Sequence, residues 1–268
     1  MKKIFIYTSF ITLLVSCQRN AITGRKQLSL VSEAEAQSMA LSQYANFLST
    51  NKVLNAGSNK NADMVKRCGN RLVNAITQYY AQKNLSNELS GYKWEINLVE
   101  DNNINAWCMP GGKIVVYTGL LPVTQNETAL AIVMGHEIAH ALAKHGSERM
   151  SQGLLQQAGG AALSVALQNK PQATQNLFAT AYGVGSNVLG ILPFSRQNES
   201  EADKYGLMFA ALAGYDPREA IPFWQRMGAG GGQKPPEFLS THPADERRIA
   251  DLQAIMPETL SKYYKPVK

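Results

Sequence analysis

The sequence predicts an α+β fold, mainly helical, in which a small β-sheet packs on one apolar helix that carries most of the chemistry. Three observations point there. Tyr92, Trp94, Ile96 and Leu98 alternate with Lys93, Glu95 and Asn97, the period-two pattern of a half-buried strand. Helical periodicity fills much of the rest, from Val65, Leu72, Val73, Ile76 and Tyr80 to a long apolar pattern after residue 127. The 268 residues are 45% hydrophobic and 17% charged, the balance of a globular chain able to build a core without disulfide support.

The elements follow in order. Lys2 and Lys3 precede an apolar run over 4–15, which is shorter than the roughly 20 residues of a membrane span but of signal-peptide length. It ends in Leu14-Val15-Ser16-Cys17, which resembles a bacterial lipobox. Residues 1–16 therefore read as a signal peptide and Cys17 as the lipidated first residue of the mature chain. Gln18, where Asp would favour inner-membrane retention, suggests an outer-membrane lipoprotein facing the periplasm. Residues 17–31 then form a tether, and 32–268 a single domain.

Ser32, with Glu35 three residues on, makes a capping box that opens a helix to about residue 48. The polar, turn-rich segment 51–60 leads to a second helix over 62–82. Strand candidates at 104–109 and 113–118 flank the turn Pro110-Gly111-Gly112. Asn126 caps a helix over 128–144, closed by His145-Gly146. Two uncharged stretches, 150–169 and 171–195, carry Gln, Asn, Ser and Thr among their Ala and Gly; they read as a buried helical hairpin rather than membrane spans. A helix over 197–213 ends at Gly214, Pro217 starts the next, residues 228–232 form a flexible loop, and a last helix follows Pro243.

The formal charge of +6 includes no run of Lys or Arg beyond two, and no basic stripe interleaved with aromatics, so no nucleic-acid partner is expected. With Cys17 lipidated, Cys68 and Cys108 remain; they lack metal-ligand spacing and read either as a disulfide or as two buried thiols.

The decisive residues are His136-Glu137-Ile138-Ala139-His140. Histidines four apart leave one face of a helix one turn apart and can share one Zn²⁺, with Glu137 placed to act as general base on a water. Ile132, Val133, Ile138 and Ala139 surround them, and burying three titratable groups there is costly unless a metal or partner satisfies them. Catalytic zinc takes three protein ligands, so one is missing. The segment 198–203 supplies it: Glu199 and Asp203 share a helix face at i, i+4, whereas Glu201 is rotated to the other side. Glu199 is assigned as third ligand, with Asp203 hydrogen-bonded behind a ligand histidine. Glu201 as the ligand remains open.

His136-Glu137-x-x-His140 followed by Glu199-x-x-Ala202-Asp203 resembles the double signature of the gluzincin metallopeptidase family that contains HtpX, the CAAX prenyl protease and the periplasmic proteins BepA and LoiP. Asn105-Ala106-Trp107 with Pro110-Gly111-Gly112, Thr118-Gly119-Leu120-Leu121, Thr241-His242-Pro243 and Arg248-Ile249 match as well, and residues 22–28 look like the lipoprotein members. Trp107 stands where the family more often has Phe. The resemblance covers about residues 20–255 and implies a zincin-type catalytic domain, its sheet packed on the His-Glu-x-x-His helix, with one Zn²⁺ per chain.

It further implies an edge strand at Asn105, Ala106 and Trp107 that pairs with substrate backbone. His242 would lie near the metal, able to fill its open position and hold the enzyme latent, and Arg248 would support the site. The implied activity is zinc-dependent endopeptidase cleavage of unfolded or misassembled envelope proteins, with the lipid-held membrane and outer-membrane assembly machinery as partners. A lipid-anchored chaperone with a silent zinc site is the alternative; a structural zinc module would need His242 as a permanent fourth ligand. His145 reads as a structural residue that closes its helix.

Overall fold

The computed structural model describes residues 17–158, 176–178, 181–182, 194–229, 237–242 and 247–266. The expected signal peptide, most of the uncharged hairpin and most of the Gly-rich loop lie outside them.

The segment expected as a tether is folded. Strands β1 (Cys17–Arg19) and β2 (Lys26–Leu28) pair antiparallel as a hairpin. Helix α1 (Glu33–Thr50) starts at the Ser32/Glu35 capping box read from sequence. The polar segment after it contains a two-residue strand, β3 (Val53–Leu54), too short to leave a periodic signal. Helix α2 (Lys60–Gln82) is capped by Asn59, whose side chain accepts from the Asn61 and Ala62 amides.

Strands β4 (Glu95–Val99), β5 (Ala106–Met109) and β6 (Lys113–Tyr117) complete a four-stranded sheet of order β3-β4-β6-β5. β4 and β6 run parallel, with Leu98 opposite Val116, and β5 pairs antiparallel to β6, with Cys108 opposite Ile114. Alternation sorts the side chains. Ile96, Leu98, Ala106, Cys108, Ile114 and Val116 face one core, whereas Val99, Trp107, Met109, Val115 and Tyr117 face another with Tyr44 and Phe47 of α1. Both faces are covered, which is why β6 reads as a continuous apolar run and not as an alternation.

A single turn, α3 (Leu121–Thr124), leads to α4 (Glu127–Leu142), capped by Asn126. Every α4 residue from Ala129 to Leu142 is buried, so this is the helix the fold is built around. It packs chiefly on α6 (Arg196–Leu212), and also against α2 and β5. Between α4 and α6 comes α5 (His145–Ala158); α7 (Ala220–Ala229), α8 (Glu237–Thr241) and α9 (Arg248–Lys262) follow. Among the described residues no helix is long and apolar enough to cross a membrane.

The α4–α6 crossing depends on two glycines. A Cβ on Gly206 would lie 2.6 Å from the His136 amide nitrogen, and one on Gly135 would lie 2.8 Å from the Gly206 carbonyl oxygen. Only residues without a Cβ let the two backbones approach this closely.

Candidate metal centre

His136 and His140 leave α4 on one side, and their Nε2 atoms lie 3.0 Å apart. α6, capped by Ser195 with Asn198 reciprocating, brings Glu199 opposite them. Glu199 Oε1 is 3.3 Å from His140 Nε2, and Oε2 is 3.6 Å from His136 Nε2. His242 follows α8, its amide bonded to the Phe238 carbonyl, and its Nδ1 sits 3.0 Å from Glu199 Oε1 and 3.3 Å from His136 Nε2. These four buried side chains form one group, their donor atoms all within 4.8 Å of one another.

The donor set fits zinc. Tetrahedral bonds of about 2.1 Å to nitrogen or oxygen put neighbouring donors about 3.4 Å apart, close to the separations seen here. Glu199 Oε2 and Glu137 Oε1 are moreover buried with no hydrogen-bond partner among the described residues, as expected of groups that await an ion or a water. Burial works to raise the Glu199 carboxyl, yet the neighbouring His242 and His140 hold it well below the usual carboxylate range. Burial also drives His140 well below its ordinary value, leaving the neutral imidazole that metals bind. Glu137 lies beside the group, its Oε1 3.5 Å from His242 Nε2. Burial pushes its carboxyl up to about 8, although His136 works against the shift.

Behind the donors, Asp203 Oδ1 is 2.9 Å from His136 Nδ1 and accepts from Arg248 Nη2 at 2.6 Å. Arg248 lies over the Trp224 ring, 3.4 Å from its centroid. Each histidine has an aromatic neighbour that the sequence reading did not name. Phe194 stacks on His140 at 4.1 Å between centroids, Phe238 on His242 at 4.4 Å, and Trp224 meets His136 edge-on at 5.7 Å. The i, i+4 spacing of Phe238 and His242 was the available signal.

The structure brings together His136, Glu137, His140, Glu199, Asp203 and His242, and it places Glu201 elsewhere. His145 departs from expectation. It does not close α4; that helix ends at Leu142, Lys144 takes a left-handed φ of 57°, and His145 opens α5. The turn carries the buried ring back, so that its Nδ1 is 3.0 Å from His140 Nδ1 and its Nε2 is 2.9 Å from Glu201 Oε2. A straight helix would have pointed it away.

Glu201 also accepts from Arg25 Nε at 2.7 Å, while Arg25 grips Glu148 through both terminal nitrogens at 2.7 Å. Burial acts to raise both carboxyls, but the bonds from Arg25 to Glu148, and from His145 and Arg25 to Glu201, hold them below their ordinary 4.5. A carboxyl depressed in the folded state contributes stability that is complete above pH 4.5 and disappears as pH falls through the folded value. Arg25→Met should therefore destabilise the protein at pH 6 more than at pH 3, as read by thermal melts at each pH.

β5 is an edge strand of the described sheet, and Asn105, Ala106 and Trp107 border the cleft beside Glu137, His140 and His242. Tyr182 lines the same cleft, whose free space of about 10 Å³ is room for about one water. Cys68 and Cys108 are separate buried thiols, Cys68 pushed up to about 12 by burial.

The model of peptidase family M48 matches residues 59–256, which include all four donors. Similar chains include the mitochondrial metalloendopeptidase OMA1 of Schizosaccharomyces pombe, 36% identical over 177 residues (65% of this chain, 50% of that one). The human mitochondrial metalloendopeptidase OMA1 is 34% identical over 180 residues, 64% of this chain and 34% of its own. The beta-barrel assembly-enhancing protease of Escherichia coli is 32% identical over 160 residues, 58% of this chain and 32% of its own. This chain thus matches about half or less of the length of these curated relatives. On the family match over most of its residues, with the donor cluster inside it, the chain belongs to peptidase family M48.

Proposed function

We propose that this protein is a zinc-dependent endopeptidase that cleaves unfolded or misassembled polypeptides in the bacterial cell envelope. The observation that carries the reading is the buried cluster of His136, His140, Glu199 and His242 with the Glu137 carboxyl alongside. In it, His136, His140 and Glu199 would hold the metal, while Asp203, itself steadied by Arg248, fixes the His136 ring. Zinc on these donors would supply Lewis-acid chemistry, polarising a peptide carbonyl and acidifying a water, and its charge would favour the ionised form of the Glu137 carboxyl. Glu137 takes the proton of the attacking water and returns it to the leaving amine. Substrate backbone adds to the edge at Asn105, Ala106 and Trp107, a mode that selects extended chains over any one sequence.

His242 holds the resting enzyme latent. Its Nδ1 lies among the donors and its Nε2 faces Glu137, so one ring stands both in the donor cluster and against the base. The narrowness of the cleft supports this and also favours a second reading, a lipid-anchored chaperone with a silent site. Casein digestion by the full-length chain separates the two. His242→Ala should digest faster than the wild type at equal zinc content, whereas zinc-bound protein silent in both forms would leave the chaperone.

The relatives' names divide between mitochondrial and β-barrel-assembly proteins, so the compartment rests on the N-terminal sequence. In this reading residues 1–16 are cleaved as a signal peptide, and lipid on the exposed Cys17, at the start of the hairpin that packs on the domain, holds the protein on the outer membrane, facing the periplasm and its assembly machinery.

A further inference from the structure

The N-terminal hairpin is fastened to the metal centre by more than packing. Asn20 Nδ2 donates to the Leu142 carbonyl at 3.2 Å and Gln27 Nε2 to the Ala143 carbonyl at 2.7 Å, both at the C-terminal end of α4. Such carbonyls have no partner within their own helix. Asn20 and Gln27 are themselves buried, and Asn20 Oδ1 accepts from the Ile22 and Thr23 amides, which shapes the turn that presents Arg25. Arg25 then reaches Glu201, Glu201 reaches His145, and His145 reaches the back of His140.

The protons in this chain can be arranged in only one useful direction. With its Nε2 among the donors, neutral His140 carries its hydrogen on Nδ1 and donates to His145 Nδ1. His145 must then carry its hydrogen on Nε2 and donate to Glu201 Oε2. Arg25, which has only donors, keeps Glu201 an acceptor. Each nitrogen and oxygen in the chain then has a single role, and together they orient His140 with its Nε2 lone pair toward the other donors.

We propose that His145, Glu201 and Arg25 are positioning residues that fix the ring and tautomer of ligand His140, and that the N-terminal hairpin supplies this relay and so sets the metal affinity of the site. The inference rests on the metal-centre reading above. Its consequence is that the segment next to Cys17 is part of the metal centre, and that displacing the hairpin loosens the ion without touching a ligand.

The test is zinc affinity of the full-length chain, measured by competition with a chromophoric chelator, with the Co²⁺ visible spectrum as a second readout. His145→Leu should weaken zinc by about 10–100-fold and alter the Co²⁺ bands. His145→Gln, whose amide can accept from His140 and donate to Glu201, should recover most of that loss. Arg25→Met should weaken zinc in the wild type but far less in a Glu201→Gln background, because its effect passes through Glu201. A merely structural role would give equal losses in both backgrounds and no rescue by Gln; that result overturns the proposal. If His145→Leu fails to fold, the Arg25 and Glu201 cycle carries the test alone. A wild type that binds no zinc would overturn the metal-centre reading itself, whereas tight zinc unaffected by the variants would overturn only the relay.

Discussion

Glu137→Gln is expected to lower peptide-bond hydrolysis by about 10²–10⁴-fold while zinc content stays unchanged. The substitution keeps the side chain's shape and removes only its ability to take a proton, and Glu137 is not among the four clustered donors. The same change has a signature in the metal-free protein. There burial pushes the Glu137 carboxyl up to about 8, so the folded state holds its proton over a range where the unfolded chain, near 4.5, has released it. Stability is therefore lost as pH rises from about 4.5 through 8, and Glu137→Gln escapes that loss. Thermal melts of metal-free protein should show the variant gaining on the wild type across that interval. An inactive variant with a pH profile like the wild type's would separate the base assignment from the burial argument.

Gly206→Ala is the second large effect. The added methyl would lie 2.6 Å from His136 N, 2.7 Å from His136 Cα and 2.9 Å from Gly135 C, all backbone atoms that cannot turn aside. The helices must separate, at a cost of about 1–3 kcal/mol typical of overpacking. That is a fall of about 2–4 °C in Tm for each kcal/mol. Because α6 also carries Glu199, the same displacement draws a donor away from the histidines, so zinc affinity should fall together with Tm. Gly228→Ala is the control, since no atom of the described residues lies within 4 Å of a Cβ built there. Loss of Tm without loss of zinc affinity would mean that the crossing holds the fold but not the donor set.

What was legible in the sequence was what one helix can encode. His136, Glu137 and His140 sit on adjacent turns, and the i, i+4 spacing of Glu199 and Asp203 put them on one face; both are short-range facts. The capping residues Ser32 and Asn126 likewise marked helix starts through local chemistry. His242 was reached only through resemblance, because a histidine after a five-residue helix has no pattern of its own.

The misreading of His145 has a specific cause. The helix end was placed within two residues, but Lys144 reverses the chain in a left-handed conformation usually signalled by Gly or Asn, so nothing announced that His145 opens a new helix with its ring turned back. The closeness of Gly135 to Gly206 and the reach of Arg25 to Glu201 are tertiary facts between residues about 70 and 176 positions apart. The hairpin at residues 17–28 was hidden for the same reason, its three-residue strands being fixed largely by what Asn20 and Gln27 bond to.

Mass spectrometry of casein fragments shows whether a metal held by His136, His140 and Glu199 supports hydrolysis of internal peptide bonds. The full-length His242→Ala chain would be assayed as purified, after removal of metal with 1,10-phenanthroline, and after zinc is returned. Internal cleavage should disappear on chelation and return with about one equivalent of zinc per chain. Cleavage that persists without metal, or no cleavage with zinc restored, would contradict that role of the metal.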